Sequence, residues 1–130
     1  MTISDKSIFA PNADYSQPGF RRAELLPASN SGLDNSTVGV KTLHFSLLRD
    51  TQRELNTSHE YQLVFLETND FSTNQFALKY GTIFGREKET GPKDVLILQS
   101  NVRDPVDILK VQFKANTWHN FALTLDFVKK

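Results

Sequence analysis

Alternation of apolar and polar residues organises most of this chain. Between positions 38 and 48, Leu43, Phe45 and Leu47 fall on one side of an extended chain and polar residues fall on the other. The other segments with a strand pattern are 61–66, 75–83, 94–99, 108–113 and 118–127. Polar clusters that favour turns separate the strand segments, at 27–37, 50–58 and 85–93. This pattern predicts one all-β domain over residues 1–130, built as an antiparallel β-sandwich.

Two segments place a carboxylate among hydrogen-bonding side chains. In GFRRAELLP, strand alternation puts Arg22 and Glu24 on one face. In HEYQLVF, it points Glu60 and Gln62 one way, and Tyr61, Leu63 and Phe65 the other way. If two such strands were neighbours in a sheet, both glutamates would face one groove, as a pair of carboxylates must in glycoside hydrolysis.

The two carboxyl groups of such a pair need different protonation states. One donates a proton to the leaving oxygen, and the other attacks the sugar or activates water. Arg22 is two residues from Glu24 and would favour its ionised form, which would leave Glu60 as the general acid. For either glutamate alone, a solvated strand carboxylate is the plain alternative.

Composition narrows the classes of partner and cofactor. Lysine plus arginine equals aspartate plus glutamate at 15 each, so no basic excess points to nucleic acid or to an anionic membrane. The absence of cysteine excludes disulfides and thiolate metal sites, and the three histidines share no metal-ligand spacing, so we expect no metal and no cofactor. No apolar run approaches a membrane span of roughly 20 residues, and the start lacks a signal-peptide pattern.

Several motifs in order resemble one enzyme family. GFRRAELLPASNSG, STVGVKTLHFSL, HEYQLVFLE, DFSTNQFALKYGT and WHNFALTLDF together are similar to the catalytic domain of glycoside hydrolase family 131. The resemblance implies a jelly-roll sandwich, a secreted fungal protein, and cleavage of β-1,3-, β-1,6- or β-1,4-linked glucans by inversion. We also expect the protein to be a monomer. It places the catalytic pair at Glu24 in RRAEL and Glu60 in HEYQ. Family domains are longer, so we expect a truncated copy with an incomplete jelly roll.

Further polar residues are candidates for binding substrate along the groove. They are Arg22, Gln62, Gln75, Lys79 and His44. Gln75 and Lys79 share a face of their predicted strand. His44 lies on the face of its predicted strand opposite to the apolar residues.

Other functional classes use the same residues differently. A non-catalytic carbohydrate-binding jelly roll would use the same groove but would not need both glutamates, and an inactive fragment is a related alternative. A polysaccharide lyase would use Arg22 to neutralise a uronate and His59 or Tyr61 as the base. Its unsaturated product absorbs ultraviolet light, so the two reactions are easily distinguished.

Overall fold

A computed structural model describes residues 3–26, 37–100 and 104–129, and the predicted loop at 27–37 falls almost entirely outside these ranges. Within them the chain forms strands and one short 3-10 turn at Asp5–Ser7, with no α-helix. The strands are β1 (Ile8–Asn12), β2 (Tyr15–Arg21), β3 (Val40–Leu47), β4 (Glu60–Glu67), β5 (Asn74–Gly81), β6 (Val95–Ser100), β7 (Asp107–Gln112) and β8 (His119–Asp126). All six segments with an alternating or short apolar pattern are confirmed as strands, within one or two residues at each end.

The described residues fall into two compact units, one from Met1–Lys41 with Asp126–Lys130 and one from Thr42–Leu125. In the larger unit β4, β5, β6 and β7 form an antiparallel meander in that order. The strand before the meander, β3, pairs with the strand after it, β8. The sheets do not close into a barrel, and the fold is an all-β sandwich of jelly-roll type, as predicted.

The core of the larger unit lies between these two sheets. Phe45 of β3 and Phe121 of β8 stack with ring centroids 5.1 Å apart and pack against the meander. The buried cluster that they cover consists of Phe76, Leu78, Tyr80, Leu96, Leu98 and Phe113. Leu109 and Val111 of β7 pair with two of these leucines but are still partly exposed, because a two-stranded sheet covers less than a four-stranded one.

A β-bulge in β4 changes which side chains face the core. The β4–β5 register shifts between Gln62 and Val64, so Val64 pairs with Leu78 of the buried cluster and Phe65 pairs with Ala77. Leu63 and Val64 both pack on the core. The prediction that Phe65 points the same way as Tyr61 and Leu63 is therefore wrong, because one extra residue reverses the alternation.

The smaller unit contains the β1–β2 hairpin, in which Phe9 and Phe20 meet edge to face at 5.6 Å between centroids. β2 ends at Arg21, which pairs with Ile8, the first residue of β1. One more backbone hydrogen bond follows, from Arg22 N–H to the Ser7 carbonyl. Beyond it the 3-10 turn replaces the partner strand, so Glu24 lies on irregular chain and the strand predicted to carry it is wrong.

Candidate active site

Glu60 lies on the outer face of the meander, the face opposite the core. Its Oε1 accepts hydrogen bonds from Lys79 Nζ at 3.1 Å and from Gln62 Nε2 at 3.1 Å. Its Oε2 accepts from the backbone N–H of Phe84 at 2.9 Å. We call these three donors and the carboxylate the Glu60 cluster. The side chains of Glu60 and Lys79 are only 15% and 8% exposed, so the ion pair is shielded from solvent on most sides.

The β4–β5 register builds this cluster. Gln62 pairs with Lys79 and Glu60 pairs with Gly81, so the three polar side chains converge across two strands. Gly81 has φ +90°, and a Cβ there would collide with the His59 carbonyl oxygen. Only glycine fits this backbone without a shift, and it lets the chain approach closely beside Glu60.

Lys79 has a different environment from the one expected of a groove lysine. It is buried, and a buried ammonium needs a partner, which Glu60 supplies. Gln62 also accepts a long hydrogen bond of 3.5 Å from Asn74 Nδ2. The structure therefore brings Lys79, Gln62 and Glu60 together and makes Lys79 a direct partner of the carboxylate.

A second ionic cluster fixes the segment that carries the Phe84 N–H. Arg86 binds Asp107 of β7 at 2.9 Å and Glu89 at 2.6 Å. The Arg86 hydrogen bond, with further hydrogen bonds from Lys110 and Gln99, holds the pKa of Asp107 well below its ordinary value. Hydrogen bonds to Glu89 and Asp107 raise the pKa of Arg86. These contacts tie the 82–93 segment to the far edge strand of the meander.

Glu24 is part of the smaller unit and has its own cation. Arg22 Nε donates to Glu24 Oε1 at 2.8 Å, and both side chains are about a quarter exposed. The Arg22 guanidinium also lies over the Phe9 ring, 5.3 Å from its centroid. In the sheets of the described residues, β2 pairs with β1 and β4 pairs with β5, so the strands before Glu24 and under Glu60 are not neighbours in one sheet. The expectation that these two strands lie side by side in one sheet is wrong.

Two other candidate groove residues lie away from the Glu60 cluster. His44 is exposed on β3 and faces opposite to Phe45, so it is on the outer face of the other sheet. The sandwich core separates His44 from Glu60, and a common groove for the two is wrong. Gln75 is exposed on β5, whereas its neighbour Asn74 contacts Gln62. The β4–β5 register shifts next to Asn74, and this shift explains why Asn74 and not Gln75 contacts Gln62.

Sequence reasoning missed the Phe84 N–H and Asn74. A backbone donor leaves no mark on residue identity, and the contact of Asn74 with Gln62 depends on how β4 and β5 pair. The only sequence sign was the glycine at position 81 within a strand pattern, which indicates close backbone approach. In the described ranges, no three His, Cys, Asp or Glu side chains are grouped as metal ligands. No helix in these ranges is long and apolar enough to cross a membrane.

A comparison with protein families identifies the domain. The model of the glycoside hydrolase 131 catalytic N-terminal domain matches residues 1–130. The chain belongs to glycoside hydrolase family 131. None of the curated proteins matches the chain. Membership of family 131 supports hydrolysis of glycosidic bonds as the function in general terms, and it confirms the resemblance carried by the sequence motifs.

Proposed function

We propose that this family 131 domain hydrolyses β-glucans of cell-wall polysaccharide, at β-1,3, β-1,6 or β-1,4 linkages, with Glu24 and Glu60 as the carboxylate pair. The observation that carries the proposal is the Glu60 cluster, in which three donors fix a shielded carboxylate on a polar sheet face. A carboxylate held in this way is pre-oriented, as acid–base or nucleophilic work on a glycosidic bond requires. The motif glutamates of the family resemblance coincide with Glu24 and Glu60.

The division of roles between the two carboxylates needs revision. Arg22 beside Glu24 was the reason to make Glu60 the general acid. Glu60 has a cation of its own in Lys79, at 3.1 Å. A neighbouring cation therefore does not distinguish the acid from the other carboxylate. The kcat/KM of Glu24→Ala and Glu60→Ala on an aryl glucoside with a good leaving group separates the roles, because such a group departs without protonation and only loss of the nucleophile or base then slows the reaction.

Reducing-sugar release from β-1,3- and β-1,4-glucans tests the activity itself. We expect the wild type to release sugar and Glu24→Gln and Glu60→Gln to lose roughly 10²-fold or more, since positioned acid–base groups contribute about that much. Glu54→Gln is the matched control, because Glu54 is an exposed loop carboxylate. Equal activity in all three variants would refute the assignment.

Two other outcomes correspond to the alternative functions. Oligosaccharide binding without sugar release, by a chain shown to be folded, would indicate a carbohydrate-binding module or an inactive copy. An ultraviolet-absorbing product would indicate a lyase. For the hydrolase we propose a secreted, fungal, monomeric protein whose partner is the glucan. Glucanase activity of this protein in the culture supernatant of its native host tests whether it is secreted.

A further inference from the structure

Phe84 combines an exposed aromatic ring with a backbone contact to the candidate catalytic carboxylate. Its side chain is 88% exposed, which places a bare aromatic ring in water. Its own backbone N–H donates to Glu60 Oε2 at 2.9 Å, so the ring is attached directly beside the candidate catalytic carboxylate. Single exposed apolar residues are ordinary on protein surfaces, and the contact with Glu60 is what distinguishes this one.

The segment around Phe84 is fixed on both sides. Before it, Thr82 N–H donates to the His59 carbonyl at 3.1 Å, and Thr82 Oγ1 donates to the Thr57 carbonyl at 2.8 Å. After it, Arg86 binds Asp107 through two hydrogen bonds of 2.9 and 3.0 Å. The ring therefore projects from a pre-organised backbone, which lowers the entropic cost of binding a ligand on it.

The carboxylate has one hydrogen-bond acceptor position left on the side of this ring. An ionised carboxylate has about four lone-pair positions, two on each oxygen. Within the described residues, Oε1 accepts from Lys79 and Gln62, whereas Oε2 accepts from Phe84 N–H. The remaining position is on Oε2, the oxygen next to Phe84. A ligand hydroxyl that donates to this oxygen would not have to displace any donor of the cluster.

We propose that Phe84 is a stacking platform for a glucosyl ring of the substrate at the Glu60 cluster. A pyranose presents an apolar face of C–H groups and a rim of hydroxyls, and it matches an exposed aromatic ring beside polar side chains. Gln62 and Glu60 would meet the hydroxyls while Phe84 covers the apolar face. The inference rests on the proposed function and adds a named binding residue to it.

Binding to gluco-oligosaccharides tests the platform. Isothermal titration with β-1,3- and β-1,4-linked oligosaccharides uses the full chain in a Glu24→Gln background, so that ligand is not consumed. We expect Phe84→Ala to weaken binding about tenfold, equivalent to about 1.4 kcal/mol, and Phe84→Trp to retain it. Phe71→Ala is the matched control, because Phe71 is 77% exposed but lies in the β4–β5 turn, at the opposite end of β4 from Glu60.

Activity in the wild-type background gives a second readout, an expected tenfold fall in kcat/KM for Phe84→Ala. Unchanged binding and unchanged kcat/KM in Phe84→Ala, with glucan hydrolysis intact, would overturn the platform and leave the proposed function standing. A fall of the same size in Phe71→Ala would also overturn it. If the Glu24→Gln protein does not bind oligosaccharide and the wild type does not release sugar, the proposed function fails and the platform fails with it. Circular dichroism establishes that each variant is folded.

Discussion

Replacement of Gly81 by alanine tests the backbone arrangement that supports Glu60. Gly81 is the β-ladder partner of Glu60 and has φ +90°, a conformation that L-residues rarely adopt. An added Cβ would collide with the His59 carbonyl oxygen, which belongs to backbone and cannot rotate away. Gly81→Ala must therefore displace the junction between the β4 start and the β5 end.

The expected destabilisation has two parts. Holding alanine at positive φ costs about 1 to 2 kcal/mol. Displacing the His59 carbonyl weakens the Thr82 N–H bond of 3.1 Å, and the neighbouring Thr82 Oγ1 bond to Thr57, and each of these contributes about 1 kcal/mol. We expect Gly81→Ala to lower the free energy of unfolding by roughly 3 to 4 kcal/mol in total.

Gly85→Ala separates the two parts. Gly85 has φ +80° in the same segment, but no atom lies within 4 Å of its added Cβ, so only the conformational cost of about 1 to 2 kcal/mol applies. Both substitutions remove the same unfolded-state entropy, which cancels when the two are compared. Urea unfolding curves measure the difference, expected at about 2 kcal/mol. If Gly81→Ala is no less stable than Gly85→Ala, the close approach to His59 is not a determinant of the site.

Two ionic contacts give further predictions. Lys79→Met leaves the shielded Glu60 carboxylate without its cation, and we expect the free energy of unfolding in urea to fall by about 2 kcal/mol. For Lys110→Met we expect a fall of less than about 1 kcal/mol, because the Lys110 side chain is 53% exposed whereas that of Lys79 is 8% exposed. Equal losses would contradict the role of burial. The Arg86 hydrogen bond lowers the pKa of Asp107 below its ordinary 3.8, so its stabilisation is present above that pH and is lost as the pH falls further. The urea midpoint of the wild type should thus fall more steeply than that of Asp107→Asn between about pH 5 and pH 2. Parallel pH profiles would refute this reasoning.

Local alternation predicted the strands well because it is a property of neighbouring residues. The segment 75–83 corresponds to the strand Asn74–Gly81, and 108–113 corresponds to Asp107–Gln112. The errors come from non-local causes. Phe65 changed face because of a bulge in the β4–β5 ladder. Glu24 lost its strand because β1, the partner of β2, begins only at Ile8, so no partner strand lies opposite Glu24.

The candidate site was predictable only in part for the same reason. Alternation correctly placed Glu60 and Gln62 on one face, where they are hydrogen bonded. The Lys79 contact depends on which residues of β4 and β5 are paired, and sequence does not fix that register. His44 shows the limit of face prediction, because facing away from the core does not say which of the two outer faces of a sandwich a residue occupies.

Folding accounts for most of the residues around Glu60, and Phe84 is the exception. Gly81 is required by its backbone, and Lys79 and Glu60 require each other as a shielded ion pair. Phe84 stabilises Glu60 through its N–H, which any residue except proline would supply. Its exposed ring makes no contribution to the core, so its chemistry is free to serve a ligand. The same separation makes substitutions at this position informative, because they change the ring and leave the contact with the carboxylate in place.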